Sequence, residues 1–166
     1  MEELVDLYDE NKNKTGEQYM RKKGNKLDVP KGKYIIVVLV FIENSKGEFL
    51  FQMTSKQKNS VWATTGGHVT AGQTSKEGIL QEIKEELGIE IDENEIYLFK
   101  TYKYEGAFKD VYYLKKDIDI EKLVLQEEEV EYVKYLTKEE ILKLIDEGKV
   151  RKTNIDVFED ILRNSK

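Results

Sequence analysis

The chain has 166 residues, 39% of them hydrophobic and 36% charged, with a net charge of −6 at pH 7. That length lets one domain bury a core, and the acidic balance argues against binding to a nucleic-acid backbone. With no cysteine and one histidine, disulfides, thiol nucleophiles and nitrogen–sulfur zinc sites are excluded, so any metal must be held by oxygen.

The opening Met-Glu-Glu-Leu-Val-Asp lacks the basic and apolar blocks of a secretion signal. The longest apolar run, Tyr34 to Ile42, is about half of the roughly 20 residues that cross a bilayer. Both features, with the absence of cysteine, point to a cytoplasmic protein that uses no membrane. Residues 1–30 read as a hairpin-like extension, with a strand over Leu4 to Tyr8 and a turn at Asn13-Lys14-Thr15-Gly16. A polar stretch from Asn25 to Lys33, carrying the single proline, separates it from a core over 31–166; together they are expected to form one domain.

Tyr34 to Ile42 predicts a strand buried on both faces. Asn44-Ser45-Lys46-Gly47 supplies a turn, and Phe49 to Met53 returns as a strand. Further strands are expected at Ile96–Tyr104, Val111–Leu114 and Val130–Leu136. Three helices carry start signals: Thr74 with Glu77, Thr137 with Glu140, and more weakly Thr153 with Asp156, the first two stopping at Gly88 and Gly148. The mixed order implies an α/β fold, a mixed sheet with helices on both faces.

On a helix over Thr74–Gly88, Ile79, Ile83 and Leu87 form an apolar stripe, with Leu80 at its edge. Glu82, Glu85 and Glu86 cluster on the far side, with Gly78 one turn earlier on the same face. Lys84 points elsewhere. Mutual repulsion is expected to raise the pKa values of the three glutamates unless a cation sits among them. Magnesium suits such an oxygen cluster, because it accepts a partial protein shell completed by water and phosphate. Taken alone, an acidic helix face is usually a solvated one. Gly78, and the Gly66-Gly67 pair just upstream, argue for close approach by a ligand.

Gly67-His68-Val69-Thr70-Ala71-Gly72-Gln73, seven residues, then Gln81-Glu82-Ile83-Lys84-Glu85-Glu86-Leu87-Gly88-Ile89 resembles the Nudix box. Gly67, Glu82, Ile83, Glu85, Glu86, Gly88 and Ile89 match, seven of nine specified positions. The resemblance extends more weakly from Tyr34 through Gln126–Val130 to the helix after Thr137. It implies a Nudix α/β/α sandwich and metal-dependent hydrolysis of a nucleoside diphosphate or a nucleoside diphosphate-linked substrate, with Mg2+ or Mn2+ as cofactor. It implies metal ligation by Glu82, Glu85, Glu86 and the Gly66 carbonyl. Glu82 and Glu85 are the catalytic candidates on the helix, and Glu129 the candidate base within the acidic run Glu127–Glu131. Gly67, His68, Gln52 and Lys56 are candidate substrate contacts.

Two positions depart from the box. Gln73 stands where the family has glutamate and Gln81 where it has arginine, a pair that ties loop to helix. Both are amides here and can bond each other without an orphaned charge. The double departure leaves an alternative, a catalytically weak Nudix-fold nucleotide sensor or regulator. Gly66-Gly67-His68 and the Asp9–Gly16 opening resemble the branch that holds isopentenyl-diphosphate isomerase and its hydrolase relatives. The isomerase needs a catalytic cysteine, which this chain lacks, so hydrolysis is what its residues support. Trp62 is either a base-stacking or a core residue, and Tyr102, Tyr104, Phe108, Tyr112 and Tyr113 divide between a base pocket and sheet packing. The substrate's nucleoside and the oligomeric state, a homodimer included, stay open.

Overall fold

The protein is described by a computed structural model covering residues 2–22 and 29–164. The part of the polar stretch between Asn25 and Asp28 lies outside these residues. Strands β1 (Glu2–Tyr8) and β2 (Lys14–Lys22) form an antiparallel hairpin. The larger sheet contains β3 (Ile35–Glu43), β4 (Phe49–Thr54), β5 (Trp62–Ala63), β6 (Gly66–His68), β7 (Ile96–Tyr104), β8 (Ala107–Lys115) and β9 (Val130–Leu136). Helices α1 (Ser75–Leu87), α2 (Lys138–Asp146) and α3 (Lys152–Asn164) complete the chain. The sheet is mixed: β3 runs parallel to β8, while β6 pairs β3 and both β5 and β9 pair β4 antiparallel.

Strand alternation divides the core. Ile36, Val38, Val40 and Ile42 of β3 face α1, meeting Ile79, Ile83 and Leu87. Leu39 and Phe41 face the other way, with Phe49 and Phe51, against Ile141 of α2 and Val157, Phe158 and Ile161 of α3. The expected sandwich is therefore present, and β3 is buried on both faces as its unbroken apolar run predicts. Ile79, Ile83 and Leu87 are at most 1% exposed, so truncating any one to alanine is expected to cost about 2–5 kcal/mol. This stripe fixes the rotation of α1 and hence the direction of its glutamates.

Helices α1 and α2 begin at reciprocal capping boxes, Thr74 with Glu77 and Thr137 with Glu140. Gly88 ends α1 and Gly148 follows α2, both left-handed. Helix α3 starts at Lys152, so Thr153 lies inside its first turn rather than capping it. The hairpin turn also differs from expectation. It falls at residues 10–12, before Asn13, because the Asp9 carboxylate accepts from the Asn11 and Asn13 amides and folds the chain there, with Lys12 left-handed.

The hairpin presents Glu3, Val5, Leu7, Tyr19 and Arg21 on one face by alternation. Val5 and Leu7 pack on Ile35 and Ala107, with Tyr19 beside them. Tyr8 and Tyr34 exchange backbone hydrogen bonds, and Lys12 Nζ reaches buried Asp110 at 2.6 Å. No helix among the described residues is long and apolar enough to cross a membrane.

Candidate active site

A cavity of about 190 Å3 opens between α1, the glycine strand β6, β4 and the end of the hairpin. Its acidic side is made by α1. Glu86 is 6% exposed and accepts a 2.9 Å hydrogen bond from Gln52 Nε2. The other end of that amide accepts from Thr65 Oγ1 at 2.9 Å, so Gln52 is held at both ends. Glu82 sits one turn before Glu86, and the two carboxyl groups hydrogen-bond each other. The acidic face is thus not on the side of α1 remote from the sheet, as the helical wheel suggests. It lies over the sheet's edge, where β4 and β6 meet it.

Gly67 makes this approach possible: a Cβ there would overlap the Glu82 carboxylate. Gly78 has a different purpose from the one its helix position suggests. A Cβ on it would lie 2.9 Å from Val69 Cγ2, so what packs on Gly78 is the protein's own loop, not a ligand. Thr65 and Val69 bond Val40 and Ile36 of β3 through their backbones, and by antiparallel alternation the next ladder bonds fall at Gly67. The Gly66 N–H and C=O therefore point away from β3, at the cavity that Gly66 lines.

Burial pushes the Glu82 carboxyl well above the ordinary value of 4.5, and the neighbouring Glu86 charge raises it further. Glu86 is also raised by burial, against the bond from Gln52. Repulsion is therefore the lesser cause; dehydration is the greater. Glu85 is exposed and accepts from Gln81 Nε2 at 2.7 Å. It is turned along the helix, and no group of three acidic or histidine side chains among the described residues converges as a finished metal site. The donor set still fits a hard cation: two adjoining carboxylates short of water, a third on the rim and a free-facing carbonyl, all oxygen.

The cavity also holds cations. Lys58 Nζ lies 3.6 Å from Glu129 Oε2. Arg151, half-buried, lines the cavity and makes no side-chain hydrogen bond or ion pair among the described residues. Burial lowers its pKa while Glu86 and Glu129 raise it. His68 is half-buried on β6, and burial, then the charges of Arg21 and Lys58, lower its pKa to about 4. It is neutral at pH 7.

The sequence model of the NUDIX domain matches residues 33–158. The chain belongs to the Nudix family. An uncharacterized Nudix hydrolase of Listeria monocytogenes is 36% identical over 147 residues, which span 86% of this chain and 85% of that protein. A counterpart in Listeria innocua matches equally well. Among solved structures, DR0079 from Deinococcus radiodurans superposes with a TM-score of 0.76 over 99% of this chain and all of that one, at 24% identity. The MutT protein of Methanosarcina mazei gives 0.62 over 85% and 100%, at 26% identity. The fold and the hydrolase family thus agree with the reading of the Nudix box.

Of the residues singled out in the Nudix box and beyond, Gly66, Gly67, His68, Gln52, Glu82, Glu85, Glu86 and Glu129 all line this cavity. Lys56 does not: it is exposed on the short 3-10 turn over Lys56–Lys58, and Lys58, two residues on, takes the place expected of it. Glu127, Glu128 and Glu131 are exposed outside the cavity. Trp62 is core, 8% exposed and edge-on to Tyr132. Phe108 and Tyr112 pack under α1, and Tyr113 packs on the opposite face. Neither these three nor Tyr102 and Tyr104 line the cavity. Sequence reasoning passed over Glu3, Arg21, Gln126 and Arg151. One signal for the arginines exists: the chain has three among its 27 cationic residues, and two of the three meet here.

The departures from the box form a working link. Gln73 Nε2 donates to Gln81 Oε1, while Gln73 Oε1 accepts from Thr70 Oγ1 at 2.8 Å and from the Thr70 amide. Gln81 passes the link on to Glu85. The two amides tie the loop to α1, as expected of a matched replacement.

Proposed function

We propose that this protein is a metal-dependent hydrolase that cleaves the diphosphate linkage of a nucleoside diphosphate or a nucleoside diphosphate-linked compound. The observation that carries the reading is that two dehydrated carboxylates, Glu82 and Glu86, line one small cavity together with Arg151 and Lys58. Carboxylates and cations gathered in one cavity are what a metal–diphosphate complex would complement.

Glu82 and Glu86, with Glu85 from the rim and the Gly66 carbonyl, would hold magnesium or manganese. When bound, such an ion supplies charge neutralisation at the diphosphate and a more acidic water. Gln52 orients Glu86 through the bond already described. Glu129 faces the cavity and accepts the proton of the attacking water. Water oxygen bonds to phosphorus as the bridging P–O bond breaks, and the leaving phosphate departs as the anion. Arg151 offers an unspent guanidinium to the phosphoryl oxygens, for which its planar fork is suited. His68, neutral, contributes a hydrogen bond rather than a charge.

The test is a panel of nucleoside diphosphates, triphosphates and diphosphate conjugates, assayed with magnesium and with manganese. Phosphate or nucleoside monophosphate release is expected, and chelator should abolish it. Activity that survives exhaustive chelation overturns the reading. Isopentenyl diphosphate, included in the panel, should give no allylic isomer.

A further inference from the structure

The hairpin β1–β2 precedes the segment matched by the NUDIX domain, residues 33–158, yet it supplies two cavity residues, Glu3 and Arg21. They stand opposite each other in the hairpin register, on the face that docks through Val5 and Leu7. Contacts along its length hold the hairpin in place. The Ala71 amide donates to Leu4 O at 2.8 Å and the Gly72 amide to Asp6 Oδ2 at 2.9 Å. Lys12 at the turn is pinned to Asp110, whose other oxygen accepts from Ser75 of α1 at 2.6 Å. The hairpin therefore forms a wall of the cavity, tied to the helix that carries the glutamates and to the loop that precedes it.

Arg21 is underused in that wall. Among the described residues its Nη1 is buried without a hydrogen-bond partner, and the one ion-pair contact it makes, to Glu3 Oε2, is 3.5 Å long. A charge-assisted bond made in earnest is roughly 0.6–0.8 Å shorter, near 2.7–2.9 Å. Arg21 lines the same cavity as Gly66, Gly67 and His68 of the glycine–histidine strand. In a chain that otherwise relies on lysine, an arginine placed here offers what lysine cannot, a planar fork for two oxygens.

We infer that Arg21 binds a phosphoryl group of the substrate, which makes the N-terminal hairpin a substrate-recognition element added to the Nudix core. The inference rests on the diphosphate reading of the same cavity. Glu3 is the internal stand-in for that anion. On binding, the phosphoryl oxygens take the fork and Glu3 moves aside.

The experiment is calorimetric titration of the full chain with methylenediphosphonate, a diphosphate that cannot be hydrolysed, in the presence of magnesium. Arg21→Ala should weaken binding roughly 10- to 100-fold, the range expected for a charged hydrogen bond lost. Arg21→Lys should fall between, and Glu3→Gln should bind at least as tightly as the parent. With substrates, Arg21→Ala should raise KM and leave kcat near the parental value. Melting temperature serves as the readout of a purely structural role; if Arg21→Ala does not fold, Arg21→Lys carries the comparison. Unchanged affinity and KM in a variant that melts like the parent overturn the inference while leaving the hydrolase reading intact. Arg21-dependent binding by a protein that hydrolyses nothing overturns the hydrolase reading and leaves the inference standing.

Discussion

Two acidic runs, 81–86 on α1 and 126–131 leading into β9, look much alike as sequence, and the fold treats them differently. On α1 the apolar stripe turns Glu82 and Glu86 onto the edge of the sheet, and Gln52 and Gly67 close over them until both lose water. In the second run it is chiefly the backbone that is pinned, with Lys58 paired to the Glu129 side chain. The Gln126 amide donates to Glu86 O, while Ser55 takes the Glu129 and Glu128 carbonyls through its amide and hydroxyl. That turn delivers Glu129 to the cavity and leaves Glu127, Glu128 and Glu131 in solvent. Charge content does not make a site here. Dehydration by neighbours does, and it falls on few members of each run.

The largest expected effect contrasts the two runs directly. Glu86→Gln should reduce kcat by roughly 10^3-fold or more, several kcal/mol of transition-state stabilisation, with the fold retained by circular dichroism. Glu127→Gln and Glu128→Gln should stay within about twofold, as exposed groups do. Equal losses in both runs would break the distinction. Next in size is a contrast inside the second run. Glu129→Gln should lower kcat by about 10^2-fold, at the lower end for a lost general base; a kcat within about twofold of the parent assigns the base elsewhere.

A subtler test concerns the amide link that holds Glu85 at the rim. Because Gln73 and Gln81 bond each other, a cycle of Gln73→Glu, Gln81→Arg and the double variant should show a coupling of roughly 0.5–3 kcal/mol in stability. The single changes should harm, and the pair together should recover stability and raise the hydrolysis rate. Simple additivity would favour a nucleotide sensor over an enzyme.

The smallest effect is in thermal stability. Glu82 and Glu86 titrate above the ordinary 4.5 once folded, because burial disfavours their charge. Between 4.5 and those raised values the folded state binds more protons than the unfolded, so the metal-free protein should lose stability as pH rises through neutrality. Added magnesium should reverse the trend, since it needs the ionised form, and its stabilising increment should grow over the same range. Scanning calorimetry with and without magnesium checks both signs. A metal-free melting temperature that climbs over this range would contradict the burial of the pair.

What the sequence revealed is largely what local chemistry decides. Capping boxes at Thr74 and Thr137, the glycine stop at residue 88 and the two-sided apolar run of β3 are each legible within a few residues. Strand β8 begins at Ala107, four residues before its expected start at Val111, because Lys109 and Asp110 are strand residues buried against distant partners, Thr153 and Lys12. No local pattern announces such pairs. Strands β5 and β6, two and three residues long, are too short to show a period. The glutamates of the site lay within one helical repeat and were readable; Arg21 and Arg151 reach it from opposite ends of the chain, and only the fold brings them there.

The hairpin register has a consequence for how this protein can change over time. Side chains alternate along a strand, so a one-residue slip sends every one of them to the opposite face. Removing a single residue from the turn at residues 10–12 would keep Arg21 in the chain while tending to swing it outward, or else to drag its apolar neighbours out of their seat. The identity of the wall residue is thus protected by loop length as much as by codon. A deletion of three nucleotides, far from any catalytic glutamate, is a one-step route to a cavity with different preferences.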